Sequence, residues 1–521
     1  LTAISASRSA TASGERRRLF DIGFVAVLGA LSVLILGGSV REAFPPGDGG
    51  LFYQICSQIL SGGFHYPRTI DYNGLAVPFS YSPLGFYAVA LLAGASHIDL
   101  ARAMALWVMA FDFAIAPAAY FATRCILPTR TQALVAAGFL VVFPVNSAWL
   151  GMGGAMTRAP GFVFFLIACG ASWKALRDGD RRATLVAIAS GAAIAWIHME
   201  FLFLYMVSLA LFMLFFRRNL VRAVALGAAV GALALPWLLL AHHDVGALSN
   251  ALQTRHFGRN VFPADAYVRY WGIADHGDWV PMLSLLCAVV ALLYGRYEFA
   301  LWMLVVIVLD TRAGVQVAHL PSALAIGWSY GKIEDALPRD AHRRMALRIA
   351  LVAVLAGTLA VAQASSAFVR INDTDVSEWR WIGAHTEPSA AILTLSPRSL
   401  GEPGLDQTFE WLPVFAKRYS PITYQGLEWI DGAHFVSRSS AYYGFEATCV
   451  RRGAACVKSY ARRFRLGKRP AYLYVPRHGT EYQLVANSIR ADGTFALVRE
   501  SSAGVLFRLP ATGGPSREAS P

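Results

Sequence analysis

Charge is what this chain has least of. Of 521 residues only 15% are charged, while 56% are hydrophobic. A soluble protein of this size carries about 25% charge, so a soluble globule is excluded. Acidic residues are the scarcer sign, 33 against 46 basic, for a net charge of +13. That surplus does not indicate nucleic acid. Most of it lies in short segments between apolar runs, where it acts as an orientation signal. The six cysteines divide by place. Cys56, Cys125, Cys169 and Cys287 lie in or near apolar segments and read as packing residues. Cys449 and Cys456 lie in the polar tail, where a disulfide and two free thiols both stay open. No internal repeat is evident. No small-residue cleavage site follows the first apolar run, so it reads as a retained span and not as a signal peptide.

Apolar runs are what the chain has in abundance, most of them long enough to cross a hydrocarbon core of about 30 Å as helices. About eleven are expected: 19–38, 101–123, 131–149, 160–175, 183–199, 201–216, 221–241, 280–295, 298–310, 316–330 and 346–364. With residues 1–18 as a cytoplasmic N-terminal tail, the basic clusters fall inside at every turn. These are Arg124 and Arg130; Lys174, Arg177, Arg181 and Arg182; Arg217, Arg218 and Arg222; Arg296; and Lys332, Arg339, Arg343 and Arg344. The stretch 83–97 is apolar but short. Counting it as a span would invert the charge pattern, so it reads as a helix lying in or dipping into the interface.

The expected architecture is a membrane all-α domain over 19–364, with a large first outer loop at 39–100. An extracytoplasmic α/β domain follows over 365–510, and then a disordered tail, 511–521. Short β-type runs at Ala391–Leu395, Ala471–Val475, Phe495–Val498 and Val505–Leu509 support the second domain. Residues 451–469 carry eight basic side chains, read as a solvated face or as a contact for anionic headgroups or a phosphorylated substrate.

The first outer loop reads FPPGDGGLFYQICSQILSGG at 44–63 and YPRTIDYNGLAVPFSYSPLGFYAVALLAG at 66–94. Asp48 stands among glycines just beyond the first span. It suits a helix N-cap for 51–60, and it equally suits a base that takes a proton from an attacking hydroxyl. Other ionisable groups fall near the same face: Tyr81, Arg158, His198, Glu200, His242, His243, Arg255, His256 and Arg312. Ionisable side chains at membrane depth are costly and usually functional. Asp112, deep in the second span, is what a transporter reading would use.

Several segments in this order resemble the GT-C superfamily of polytopic glycosyltransferases. They are Asp48 after span one, Tyr81-Ser82-Pro83-Leu84 before a juxtamembrane helix, GMGGAMTRAPGFVFF at 151–165 and WIHMEFLFLY at 196–205. In the tail, SEWRWIGAHTEPSAAILTL at 377–395, EWLPVFAKRYSPITYQGLEW at 410–429 and FALVRESSAGVLFRL at 495–509 are similar to that group as well. The resemblance is to the dolichyl-phosphate-mannose-dependent kind and covers nearly the whole chain. It implies an inverting hexosyl- or pentosyltransferase, multi-pass in the cytoplasmic (inner) membrane with its C-terminal domain outside. Its donor would be a polyprenyl-phosphate sugar and its acceptor a glycan, lipid or protein. Asp48 would be the base. Tyr81, Arg158, His198, Glu200, Arg255 and His256 would bind substrate. Many relatives carry two adjacent acids where glycine follows Asp48 here, which leaves a divalent metal open; Asp71 is the nearest second carboxylate. A non-catalytic scaffold and a lipid or glycan transporter are the rival readings.

Overall fold

The computed structural model describes residues 19–34, 44, 47–142, 150, 156–241, 279–310, 313–337, 345–346, 350, 355, 371–396, 406–466, 469–478 and 481–510. The apolar runs that fall among the described residues form helices. The first is α1, Leu19–Leu34. A loop segment then folds as α2 (Gly49–Ser61), strands β1 (Thr69–Tyr72) and β2 (Leu75–Pro78), and α3 (Leu84–Ser96). The two strands pair antiparallel across Asn73-Gly74, both at positive φ, which suits the twist of a two-residue hairpin turn. With 13 residues, α3 is about 20 Å long at ~1.5 Å per residue. That falls short of a hydrocarbon core and matches the short helix expected at 83–97.

The bundle continues as α4 (Leu100–Ile126), α5 (Arg130–Val142), α6 (Arg158–Asp178), α7 (Arg181–Ile197), α8 (Met199–Phe215), α9 (Leu220–Ala241), α10 (Trp279–Leu293), α11 (Tyr297–Leu309) and α12 (Gly314–Ala336). Three of the described helices are long and apolar enough to cross a membrane by length and composition: Leu100–Ile126, Arg158–Asp178 and Arg217–Leu240. Others, such as α5 and α11, are shorter. Most of the expected span at 346–364 lies outside the described residues.

Small residues let the helices approach closely, as where α6 meets α4 beside Ala122. Short polar caps close the turns. Asp99 accepts from the Ala101 and Arg102 amides to start α4, and Asp180 does the same for α7 while holding Lys174 at 2.6 Å.

Beyond residue 371 the character changes. The chain forms α13 (Asp373–His385), β3 (Ala391–Thr394), α14 (Thr408–Ala416), α15 (Phe435–Arg463), β4 (Ala471–Pro476), α16 (Tyr482–Ala491), β5 (Ala496–Glu500) and β6 (Gly504–Arg508). The strands make one sheet in the order β3-β4-β6-β5, parallel between β3 and β4 and antiparallel elsewhere. Leu393, Phe445, Leu473, Val505 and Phe507 bury completely beneath it. Within α15, Gly453 takes a φ of +61° that a side chain would strain. The resulting kink brings Cys449 and Cys456 to a Cα separation of 5.2 Å, and they are disulfide-bonded. A straight helix would hold them about 10 Å apart. The other four cysteines are free and buried.

Candidate active site

Asp48 sits at the N-cap position of α2, and its carbonyl accepts the Phe52 amide at 2.9 Å. Its side chain makes no capping bond. The carboxylate instead receives Nη2 of Arg158, 110 residues away, at 3.3 Å. Arg158 is 11% exposed at the side chain and Asp48 30%, so the guanidinium is sunk in the protein and the carboxylate stays accessible. Arg158 is also the first residue of α6. The positive end of a helix dipole therefore coincides with the guanidinium, an arrangement that favours anions.

The capping task that Asp48 leaves undone falls to Glu410, in α14. Its Oε1 accepts the Gly50 amide at 3.1 Å. A Cβ at Gly50 would stand 2.6 Å from the Glu410 carbonyl oxygen, so only glycine admits the approach. Glu410 is wholly buried. Burial, then the nearby Asp48 charge, raises its pKa well above the usual carboxylate range, against the pull of the Gly50 and Leu51 amides.

Further bonds lock α14 and the chain after it onto the loop segment. The Gly47 amide donates to Gln407, the Tyr72 hydroxyl donates to the Glu410 carbonyl at 2.9 Å, and Asn73 and Ser420 exchange two bonds, at 2.9 and 2.6 Å. The Tyr81 hydroxyl donates to Glu428 at 2.7 Å. Tyr81 also packs edge-on against Phe52 of α2 and against Trp429.

His198 interrupts the helical run as the break between α7 and α8. A Cβ at Gly161 would lie 2.9 Å from His198 Cβ. Gly161 is one turn along α6 from Arg158, so the imidazole flanks the same helix end. Glu200 is buried in the first turn of α8. Ser82, next to Tyr81, donates to the Ala195 carbonyl near the end of α7 at 3.2 Å.

The structure thus brings Asp48, Tyr81, Arg158 and His198 to one region. Arg255, His256, His242, His243 and Arg312 lie outside the described residues. Strand alternation exposes Asp71 while Tyr72 turns inward, and the buried carboxylates set near Asp48 are Glu410 and Glu428. One hint of these was legible beforehand, the 410–429 segment that holds both. Among the described residues, no group of three or more His, Cys, Asp or Glu side chains is arranged to hold a metal. Asp112 is buried within α4, and neither carboxylate oxygen has a hydrogen-bond partner among the described residues.

The fold is similar to those of solved structures. The Archaeoglobus fulgidus oligosaccharyltransferase AglB, in complex with an inhibitory peptide and a dolichol-phosphate, superposes with a TM-score of 0.53 at 11% identity, over 96% of this chain and 75% of its own. The mycobacterial arabinofuranosyltransferase AftD gives a TM-score of 0.53 at 14% identity, over 94% of this chain and 40% of its own. The chain has the GT-C fold. ArnT from Cupriavidus metallidurans, bound to undecaprenyl phosphate, matches 95% of this chain and 99% of its own at 14% identity, with a TM-score of 0.47. No family model and no curated protein sequence matches the chain.

Proposed function

We propose that this GT-C protein is a membrane glycosyltransferase that moves a sugar from a polyprenyl-phosphate donor to a hydroxyl acceptor at the outer membrane face. The carrying observation is that Asp48 is excused from helix capping and faces Arg158 at the start of α6. The dolichol-phosphate of the AglB complex and the glycosyl transfer named for AftD lend support.

In this reading the donor phosphate takes up Arg158, with His198 beside it. Arg255 and His256 would join from the 242–278 region. That leaves the Asp48 carboxylate open to the acceptor hydroxyl. It accepts the acceptor's proton as the oxygen attacks the anomeric carbon. The bond from that carbon to the phosphate oxygen breaks, and its electron pair leaves with the phosphate. The displacement is direct and therefore inverting. A phosphate leaving group needs little protonation, so one base and a cationic clamp suffice.

The test is Asp48→Asn in purified protein. Turnover from a polyprenyl-phosphate sugar should fall by about 10²–10⁴, with thermal stability unchanged because no cap is lost. Arg158→Ala should raise the KM for donor more than that for acceptor. Near-normal transfer by Asp48→Asn would remove the mechanism and leave the fold untouched.

A further inference from the structure

Glu428 has no place in the step just described, yet it faces it. It lies in a short 3-10 turn, Leu427–Trp429, contributed by the C-terminal α/β part of the chain. Tyr81 holds one of its oxygens at 2.7 Å. Both residues keep some accessible surface despite their deep setting, as does Asp48. All three are therefore partly open to solvent. Phe52, whose amide bonds the Asp48 carbonyl at 2.9 Å, packs edge-on against Tyr81 with ring centroids 5.3 Å apart, and the Asp48 charge acts on Tyr81 and Glu428 alike, so the three form a neighbourhood.

We propose that Glu428 is a proton-relay residue of this active site, receiving through Tyr81 the proton that Asp48 takes from the acceptor. The inference rests on Asp48 being that base. The relay balances. Protonated Asp48 gives its proton to the Tyr81 oxygen as the Tyr81 hydroxyl proton passes to the Glu428 carboxylate. Tyr81 ends as a neutral phenol, Asp48 is again ionised, and Glu428 carries the proton until it is lost to solvent. The arrangement has a use. A protonated Asp48 cannot serve the next turnover, and the phosphate product prolongs that state while it occupies Arg158.

Several groups face Glu428. Tyr81 precedes α3, Asp48 begins α2, with Arg158 behind it, Tyr72 lies on β1, and Glu410 lies on α14. Burial pushes the Glu428 carboxyl up to about 7; the Tyr81 bond opposes this and the Asp48 charge adds to it. The relay needs Glu428 ionised, so turnover should decline as pH falls through about 7.

The experiment is turnover against pH, from about 5 to about 9, for wild type, Glu428→Gln, Tyr81→Phe and Asp48→Asn, with donor KM measured in each. Glu428→Gln is expected to lose about tenfold in turnover on the alkaline side and to lose the limb near 7, with donor KM unchanged. Glu428→Asp should keep the limb. Tyr81→Phe keeps the ring packing and should lose the limb too, so it carries the test if Glu428→Gln folds poorly. A Glu428→Gln profile that overlies wild type, with Asp48→Asn inactive, overturns the relay and leaves Asp48 as base. Near-normal Asp48→Asn with defective Glu428→Gln overturns both, because no proton then comes from Asp48.

Discussion

Glu410 accepts the Gly50 amide at the helix start where Asp48 holds the cap position and leaves the bond unmade. One carboxylate holds the helix start while the other, beside it, turns to Arg158.

That division can be tested on Glu410. Glu410→Gln keeps an oxygen for the Gly50 amide and should leave stability nearly unchanged. Glu410→Ala removes the cap and should cost about 1–2 kcal/mol, seen as a lower melting midpoint and faster proteolysis between the spans and the C-terminal part. The sign with pH also follows. The folded Glu410 pKa is raised from 4.5, so its contribution is full below about 4.5 and fades as pH rises through the raised value. Glu410→Gln should flatten that part of the profile.

A second pH effect belongs to the buried His478 cluster. Its Nδ1 lies 2.9 Å from Asp406 and its Nε2 3.3 Å from Asp375. Burial lowers the imidazole, but the two carboxylates outweigh it and push the pKa up to about 10. Burial likewise raises Asp406, and the His478 charge with the Ser396 and Thr408 hydrogen bonds holds it well below the usual range. Stability from His478 is full below about 6.5 and lost as pH rises through about 10. Stability from Asp406 is full above about 3.8 and lost as pH falls through its lowered pKa. His478→Ala strands two buried carboxylates and should cost about 3–5 kcal/mol in chemical denaturation.

The Cys449–Cys456 bridge closes a short loop, so its stabilisation should be modest, roughly 2 kcal/mol. Mass mapping should find both thiols alkylated only after reduction. Alkylation of both without reduction would remove the bond.

Orientation is open to labelling. With the basic clusters inside, a membrane-impermeant thiol reagent applied to intact cells should reach cysteines placed in 371–510 and miss those placed in 174–182. Labelling at 174–182 would reverse the topology.

Periodicity carried much of the fold. The four β-type runs of the tail are the strands β3 to β6, and α4, α6 and α9 occupy the long apolar runs. The apolar runs ending at 199 and resuming at 201 already marked the helix break, which the structure sets at His198. The site was legible in halves. Asp48 could be picked out by its glycines and its place after a span, but its pairing with Arg158 spans 110 residues, and no local pattern encodes that. Asp71 looked eligible because it is near in sequence; strand alternation exposes it. Glu410 and Glu428 sit in the 410–429 stretch that the resemblance marked, but only the docking of that stretch onto α2 and Tyr81 brings them beside Asp48.

The two-way bond between Asn73 and Ser420 has a consequence for biogenesis. The loop segment leaves the ribosome early, with the first span, whereas Ser420, Glu410 and Glu428 emerge only after the spans have been made. Until then α2 lacks its cap and Tyr81 lacks its partner. A nascent chain can therefore form its earlier helices while this region is still incomplete, and the contacts around Asp48 close only when the last part of the chain arrives.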